Sequence, residues 1–347
     1  MKKISPLRNK VLKVELQKKI DLKTKPLGAL GDLEALAFKI ASIQNTKSPK
    51  INNPTIVVFA GDHGIAKRGE VNPFPQEVTT QMVYNFVNGG AAINVFTKTN
   101  NIHLKVVDAG VNHTFKNDLN IINAKIAFGT KNYQQEPAMT LQQCQSAMEK
   151  AGDIITNIHS NGCNTIGFGE MGISNTSSAS LLMAYFMKKP ITECVGSGTG
   201  LDSDGINKKG RILSEVFNKY KPQTPQEALA TFGGFEVAML CGAILKAAEL
   251  KMVILIDGFI VSAALLVAQS IDENTLDYCV FAHNSNEQGH IKILDFLNSK
   301  SLLSLGLRLG EGTGAALAIP LLKASVDFLN NMASFESAGV SSEIKKS

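Results

Sequence analysis

The chain has 347 residues, of which 44% are hydrophobic and 19% are charged. This composition excludes a disordered chain and a coiled coil, and it predicts a folded protein with one large domain or two smaller ones. The formal net charge is +5, and outside the two chain ends the charges are scattered. We therefore expect no nucleic-acid partner, while an anionic small molecule is compatible with the modest positive charge.

Cysteine spacing and hydropathy indicate the cellular compartment of the protein. The five cysteines are widely spaced and form no CxxC or His/Cys ligand pattern, which predicts reduced, structural thiols in a cytoplasmic protein. The basic N-terminus lacks the continuous apolar stretch of a signal peptide. The most membrane-like window, residues 252–270, contains Asp257 and Gly258 near its start. It therefore resembles a buried strand followed by a helix more than a membrane span.

Short β-rich segments alternate with segments of helical length along the chain. Strands are predicted at Thr55–Ala60, Leu104–Asp108, Asn164–Phe168, Met252–Ile256 and Asp277–Ala282, with a weaker one at Glu193–Gly196. Helices are predicted at Glu77–Thr97, Leu141–His159, Ser177–Met187, Pro225–Leu250 and Phe259–Ser270. Continuous apolar strands separated by helices are typical of a parallel sheet that is covered on both faces. The predicted fold class is α/β.

The two chain ends differ from the middle. Residues 1–50 and 300–347 are predicted to be helical and to pack together as a small helical domain, and residues 51–299 form the parallel α/β domain. A loop at 307–314 lies at the junction of the two.

Functional side chains and glycines follow the predicted strands with unusual regularity. In an open parallel sheet, ligands bind outside the carboxyl ends of the strands. Asp and Gly are also common in βα turns and helix caps, which explains any one of these groups alone but not six together. The groups lie at residues 61–64, 108–110, 169–172, 197–200, 257–258 and 283.

Two glycine-containing segments suggest an anion site. In residues 169–180, glycines, Asn and Ser/Thr residues precede an apolar helix. The N-terminus of such a helix offers free N–H groups to an anion. An ordinary Ser/Thr cap is the slightly favoured alternative. Residues 195–205 are followed by Lys208 and Lys209, which supply positive charge. The second segment is not a P-loop, because no Gly-Lys-Ser/Thr follows at the required spacing, and it is a poor dinucleotide fingerprint.

Glu311 lies between two glycines ahead of an Ala-rich helix. Flanking glycines let the backbone approach a ligand closely, and Leu307 and Leu309 are expected to form an apolar wall around the carboxylate. Such surroundings raise the pKa of a Glu and make it a competent base near neutral pH. A role in stabilising the N-terminus of the following helix is equally compatible with the pattern.

Residues 282–290 contain His283, Glu287 and His290, a combination that raises the question of a metal site. The spacing matches no HExxH-type helix and no cysteine lies nearby, so a hydrogen-bonding or capping role is favoured over metal binding.

Ten motifs in order resemble the nicotinate-nucleotide:dimethylbenzimidazole phosphoribosyltransferase family, which activates the lower ligand of cobalamin. The resemblance extends from about Lys25 to Val340, across nearly the whole chain. The motifs are KPLGALGDLEALA, FAGDHGI, PQEVTTQMVYNFVNGGAAINV, EPAM, GEMGISNTSSA, GTGLD, FGGFEVAML, IDGFI, AHNSNEQGH and RLGEGTGAALA.

The resemblance implies a Rossmann-like three-layer parallel sheet with a small helical domain, a homodimer, and no metal or other cofactor. It also implies a reaction in which a benzimidazole displaces nicotinate at C1′ of nicotinate mononucleotide. Glu311 corresponds to the general base and Glu170 to a second active-site carboxylate that stabilises positive charge or assists the base. The implied phosphate and ribose contacts are Gly172, Ser174, Asn175, Thr176, Gly198, Gly200 and Lys209. The implied contacts to the aromatic base are Phe74, Gln81, Met82 and Leu309.

Other functions remain open at this level. Phe74 and Met82 make the base pocket more apolar than the common family pattern, and the same transfer to adenine, a simple benzimidazole or a phenol is one alternative. A nucleotide-binding regulator without catalysis is another, although a pure binder has no reason to keep both Glu311 and Glu170. A dinucleotide-dependent oxidoreductase is disfavoured, because no acidic residue is placed to hold a ribose after the first βα turn.

Overall fold

The computed structural model describes residues 2–196, 198 and 200–341. Residues Ser197 and Thr199, in one of the predicted post-strand groups, lie outside this description, as do Met1 and 342–347 of the predicted helical domain. The strands are β1 (Thr55–Gly61), β2 (His103–Gly110), β3 (Ile122–Asn123), β4 (Thr165–Met171), β5 (Val253–Ile256), β6 (Cys279–His283) and β7 (Ser301–Leu303).

The helices differ widely in length. They are α1 (Lys10–Asp21), α2 (Asp32–Ile43), α3 (Val78–Val87), α4 (Ala92–Thr99), α5 (Leu141–Ser160), α6 (Asn175–Met187), α7 (Ser203–Lys219), α8 (Pro225–Phe232), α9 (Phe235–Glu249), α10 (Phe259–Ile271), α11 (Gln288–Phe296), α12 (Thr313–Asn331) and α13 (Phe335–Ala338).

All described strands belong to one parallel sheet with the order β3-β2-β1-β4-β5-β6-β7. Strands β1, β2 and β3 form one half of the sheet in chain order. After β3 the chain crosses over to β4 on the other side of β1, and β4 to β7 form the other half. The switch point lies between β1 and β4, where Phe59 is paired with Glu170. Ligands bind at such a point because the flanking loops diverge there and leave a crevice at the carboxyl ends of the strands. The predicted α/β class with a Rossmann-like parallel sheet is confirmed.

The core consists of buried strands and the helices packed on them. Every residue of β1, β5 and β6 is buried, as expected for parallel strands covered on both faces. Helix α9 packs on β1, β2, β4 and β5, and α12 packs on β4 and β6. Residues 252–270 form most of β5 and α10, which confirms the strand-and-helix interpretation of that window. In the described part of the chain, no helix has the length and apolarity needed to cross a bilayer.

A second small core lies beside the main one. It joins α1 and α2 to the end of α12 through a set of buried apolar side chains: Leu12, Leu16, Ile20, Ala37, Ala41 and Leu329. This core supports our proposal of a helical domain formed by the two chain ends. The prediction that the end 300–347 contains only helices is wrong, since β7 is the edge strand of the sheet.

Several predicted elements differ from the structure. The predicted strand Glu193–Gly196 is wrong: a 3-10 turn at Ile191–Glu193 leads into irregular chain there, after Pro190, a residue that cannot donate to a sheet ladder. The predicted helix Glu77–Thr97 is divided into α3 and α4 at Gly89, which has a φ of +79°. The predicted helix Pro225–Leu250 is divided into α8 and α9 at two glycines, because glycine costs helical stability and ends helices readily.

Candidate active site

A cavity opens at the carboxyl ends of β4, β5 and β6, beside the switch point of the sheet. Its lining comes from the loops that follow these strands, from α3 and the loop before it, and from the turn before α12. The lining residues are Asn72, Phe74, Val78, Met82, Glu170, Met171, Gly172, Ile173, Ser174, Asn175, Thr176, Gly198, Asp257, Gly258, Phe259, Ile260, Val261, His283, Ser285, Glu287, Arg308, Leu309, Gly310 and Glu311.

One part of the lining is apolar. It consists of Phe74, Val78, Met82 and Leu309, which we call the apolar wall. Val78 and Met82 are four residues apart on α3 and so project from the same helix face. Phe74 and Leu309 are 44% and 57% exposed, which places them at the open side of the cavity, where an aromatic ligand would cover them. The wall therefore fits a flat apolar ring.

Glu170, the penultimate residue of β4, is 6% exposed in the cavity lining. Burial raises the pKa of its carboxyl to about 8, against the opposing effect of the Asn175 side-chain amide, which donates a hydrogen bond to Oε2. A carboxyl with this pKa is mostly protonated at neutral pH, so Glu170 can donate a proton in a hydrogen bond.

Glu311 lies in a tight turn between Gly310 and Gly312 and is 4% exposed. Its φ of +61° is in the left-handed region, which a non-glycine residue adopts only where surrounding contacts hold it there. The backbone N–H of Ile93 donates to Oε2 at 3.4 Å. Burial raises the pKa of the Glu311 carboxyl above its ordinary value, which suits a general base near neutral pH.

The turn that carries Glu311 packs against β4. A Cβ built on Gly169 would lie 2.2 Å from the carbonyl carbon of Glu311, and one built on Gly310 would meet Oε1 of Glu170 at 2.2 Å. Only glycine fits at position 169, where the contact is with backbone, and the φ of +85° favours glycine at position 310. The structure thus brings the two predicted carboxylate residues together at one side of the cavity.

Asp257 stabilises the start of α12. This fully buried carboxylate follows β5 and accepts the backbone N–H of Ala315 at 2.9 Å. The backbone N–H groups of Gly312 and Gly314 lower the pKa of its carboxyl, against the burial that raises it. A negative charge at a helix N-terminus is favourable because the free N–H groups point at it. Asp257 therefore takes the helix-stabilising role at α12, and Glu311 lines the cavity instead.

The turn formed by residues 172–176, which we call the anion turn, leads into α6. Ser174 has a φ of +77° and makes no side-chain capping bond. The hydroxyl of Ser174, which lines the cavity, is buried and has no hydrogen-bond partner among the described residues. The turn therefore shows no Ser/Thr side-chain cap, and its polar groups suit an anionic ligand.

Lys209 lies next to the anion turn. It is 1% exposed, and its Nζ donates to Oγ1 of Thr176 at 2.9 Å. Burial lowers the pKa of the ammonium group to about 8. A Cβ on Gly198 would lie 3.1 Å from Oγ1 of Thr176 and 3.6 Å from Nζ of Lys209, so Thr176, Gly198 and Lys209 converge at one place.

Three of the predicted site residues do not line the cavity. Gln81 and Gly200 are exposed, and Lys209 reaches the cavity region only through Thr176. The other predicted residues all line it. Leu307, expected beside Glu311, is absent from the lining, and Leu309 is present.

The cavity also contains polar residues outside the predicted set. Asp257 directly follows β5, and His283 is the last residue of β6 and follows the predicted strand Asp277–Ala282, so the post-strand rule points to both. Glu287 and Arg308 belong to two of the family motifs, whereas Asn72 comes from a loop without a local signal. Burial raises the pKa of Glu287, while the charges of Lys209 and Arg308 oppose that shift.

His290 lies behind the cavity. Its Nδ1 accepts the backbone N–H of Ser285 at 2.9 Å, and its Nε2 lies 3.1 Å from Oγ of Ser262. Burial lowers its pKa to about 3, so the ring is neutral. These contacts support the predicted hydrogen-bonding role.

The chain is similar in sequence and in structure to known phosphoribosyltransferases. A family model described as phosphoribosyltransferase matches residues 4–340. The nicotinate-nucleotide–dimethylbenzimidazole phosphoribosyltransferase of Dechloromonas aromatica is 54% identical over 334 residues, covering 95% of this chain and 96% of the relative. The enzyme of that name from Cupriavidus necator is 52% identical over 339 residues, 97% of each chain. The crystal structure of CobT from Thermus thermophilus has a TM-score of 0.92 at 36% identity, covering 95% of this chain and 99% of that chain.

Proposed function

Because the chain belongs to the nicotinate-nucleotide–dimethylbenzimidazole phosphoribosyltransferase family, we propose that it transfers the 5-phosphoribosyl group of nicotinate mononucleotide to 5,6-dimethylbenzimidazole in cobalamin synthesis. The products are α-ribazole 5′-phosphate and nicotinate. The observation that carries the proposal is the buried carboxylate of Glu311, held beside an apolar wall that fits the aromatic acceptor.

The reaction exchanges one bond at C1′ for another. A ring nitrogen of the benzimidazole attacks C1′, the bond from C1′ to the pyridine nitrogen breaks, and nicotinate leaves with the electron pair, so the configuration at C1′ inverts. The other ring nitrogen of the acceptor loses its proton to Glu311. Proton removal in this step makes the acceptor more nucleophilic and prevents positive charge from remaining on the product.

Glu170 acts as a neutral hydrogen-bond donor in this mechanism. Because its pKa is raised, Glu170 is mostly neutral and can donate a hydrogen bond to the base or to the ribose. This role is favoured over the alternative, in which an ionised Glu170 stabilises positive charge. A neutral Glu170 also avoids a like-charge pair beside ionised Glu311. Asn175 orients it through the hydrogen bond to Oε2.

The phosphate of the nucleotide binds at the anion turn. Gly172, Ser174, Asn175 and Thr176 line the cavity there, and Lys209 supplies a buried positive charge next to Thr176. Charge-assisted hydrogen bonds to a phosphate are about twice as strong as neutral ones. Gly198 lies between these groups, and Gly200 is a predicted contact from the same loop.

The acceptor base binds at the apolar wall. Phe74, Met82 and Leu309 contact its ring in this proposal, and Gln81, which precedes Met82 on α3, stays a predicted hydrogen-bonding partner. Burying the two methyl groups of 5,6-dimethylbenzimidazole against Phe74, Val78, Met82 and Leu309 is favourable, whereas among the predicted base contacts only Gln81 could pair with the exocyclic amine of adenine. We therefore favour 5,6-dimethylbenzimidazole over adenine as the acceptor.

We also infer a homodimer in the cytoplasm. All five cysteines are buried and unpaired, which suits a reducing compartment. Sedimentation velocity of the purified protein tests the dimer, since a monomer of 37.2 kDa sediments as a distinct species.

Nicotinate release from nicotinate mononucleotide tests the reaction. With 5,6-dimethylbenzimidazole present, we expect release of nicotinate in equal amount to α-ribazole 5′-phosphate, and no comparable release without an acceptor. Competition between 5,6-dimethylbenzimidazole and adenine in one vessel then measures the acceptor preference directly. Nucleotide binding without transfer to any azole, purine or phenol would instead identify a regulator.

A further inference from the structure

One buried hydroxyl lies behind the cavity and joins two parts of its wall. Thr79, in the first turn of α3, is fully buried, and its Oγ1 accepts the backbone N–H of Ile173 at 3.2 Å. Ile173 belongs to the anion turn between β4 and α6. Thr79 is not among the residues that line the cavity, so it acts on substrates only through the groups it holds.

The two segments joined by this bond carry different parts of the proposed site. On one side, α3 presents Val78 and Met82 of the apolar wall to the cavity. On the other side, Ile173 is followed by Ser174, Asn175 and Thr176. A shift of α3 relative to the anion turn therefore changes the distance between the acceptor base and the phosphate, and with it the alignment of the attacking nitrogen with C1′.

The same hydroxyl also interacts with a carboxyl group fixed to the sheet. Asp62 directly follows β1 and is 1% exposed; the Thr79 side chain lowers the pKa of its carboxyl, against the burial that raises it. Oδ2 of Asp62 accepts the backbone N–H of Asn112 at 2.7 Å. A threonine hydroxyl can accept the N–H of Ile173 while its own O–H lowers the pKa of the Asp62 carboxyl, which no apolar side chain of this shape can do.

We propose that Thr79 is a positioning residue that fixes the apolar wall and the anion turn relative to one another, so that base binding and nucleotide binding both depend on it. The proposal rests on the proposed function, because it concerns the spacing of the two substrates of that reaction. Removing the hydroxyl leaves the buried N–H of Ile173 without an acceptor, which forces the turn or the helix to move.

The test compares Thr79→Val, which keeps the shape and loses the hydroxyl, with Thr79→Ser, which keeps the hydroxyl. We expect Thr79→Val to raise KM for 5,6-dimethylbenzimidazole and for nicotinate mononucleotide, each about fivefold or more, and Thr79→Ser to restore both to near the wild-type values. Met82→Ala serves as a comparison that raises KM for the base alone. The Tm of every variant is measured as well. If Thr79→Val does not fold, the KM values of Thr79→Ala are compared with those of Thr79→Ser instead.

Thr275→Val is the matched structural control. Thr275 is also fully buried, and its hydroxyl donates to the carbonyl oxygen of Asp272 at 2.6 Å, before β6 and away from the cavity lining. We expect this variant to lower Tm without changing either KM.

The proposal is overturned if Thr79→Val leaves either KM unchanged, if Thr79→Ser is as impaired as Thr79→Val, or if Thr275→Val raises both KM values equally. Absence of turnover by the wild type would reject the proposed function and this inference with it, whereas an active wild type with an unaffected Thr79→Val rejects this inference alone.

Discussion

Oε2 of Glu311 lies 3.4 Å from the backbone nitrogen of Ile93, at the beginning of α4. A carboxylate is favoured at a helix N-terminus, where free N–H groups point outward. This contact orients the side chain while burial raises its pKa. Glu311 is thus held in one position and kept basic enough to take a proton, the two properties that a general base needs.

Glu170 and Glu311 give turnover opposite dependences on pH. Glu311 must be ionised, so kcat falls as the pH drops through its raised pKa. Glu170 loses its proton near pH 8 and then adds a second negative charge beside Glu311, so kcat falls again above that pH. We expect a bell-shaped profile of kcat from about pH 5 to about pH 9.5, measured with both substrates saturating so that weaker nucleotide binding does not contribute.

Glu170→Gln is the control for this profile because glutamine resembles the neutral acid. We expect the variant to keep the decline at low pH and to lose the decline near pH 8. An unchanged decline at high pH would show that another group is responsible.

Lys209 is expected to bind the phosphate of the nucleotide. Lys209→Met should raise KM for nicotinate mononucleotide about tenfold to a hundredfold, the usual range for loss of a hydrogen bond to a charged group, and leave KM for the base unchanged. Lys208→Met is the matched control, since Lys208 is exposed and adjacent in sequence. Equal effects of the two substitutions on nucleotide KM would argue for a general effect of charge.

Gly169 is expected to be essential for the geometry of the base. A Cβ in Gly169→Ala would overlap the backbone of Glu311 and displace it, so we predict a loss of kcat of about tenfold or more. Gly210→Ala in α7 is the control, because a Cβ there meets nothing within 4 Å, and alanine in a helix adds up to about 1 kcal/mol of stability. Unchanged kcat in Gly169→Ala would contradict this account of the turn.

The sequence predicts the centre of the sheet well and its edges poorly. The apolar runs that become β1, β2, β4, β5 and β6 have four to eight residues and are mostly buried, so local composition identifies them. β3 and β7 have two and three residues, and such short edge strands exist only because a neighbouring strand is present. The glycines that separate α3 from α4 are visible in the sequence, but helical periodicity on both sides conceals the break.

The candidate site is predictable where chemistry follows a strand or matches a family motif. Glu170, Asp257 and His283 satisfy the post-strand rule, and Glu311 is conspicuous between its glycines. Arg308 begins the motif RLGEGTGAALA, whereas Asn72 reaches the cavity only through tertiary packing, without a local signal. The helix-stabilising role of Asp257 at α12 depends on the packing of α12 against the residues that follow β5, and neither segment alone reveals it.

Nicotinate release by the wild type and by Glu311→Gln, with and without 5,6-dimethylbenzimidazole, tests the role of Glu311 most directly. We expect release that depends on the acceptor in the wild type, a loss of kcat of about a hundredfold or more in Glu311→Gln, and nucleotide binding by calorimetry that is largely unchanged. Turnover by Glu311→Gln at the wild-type rate would contradict this role.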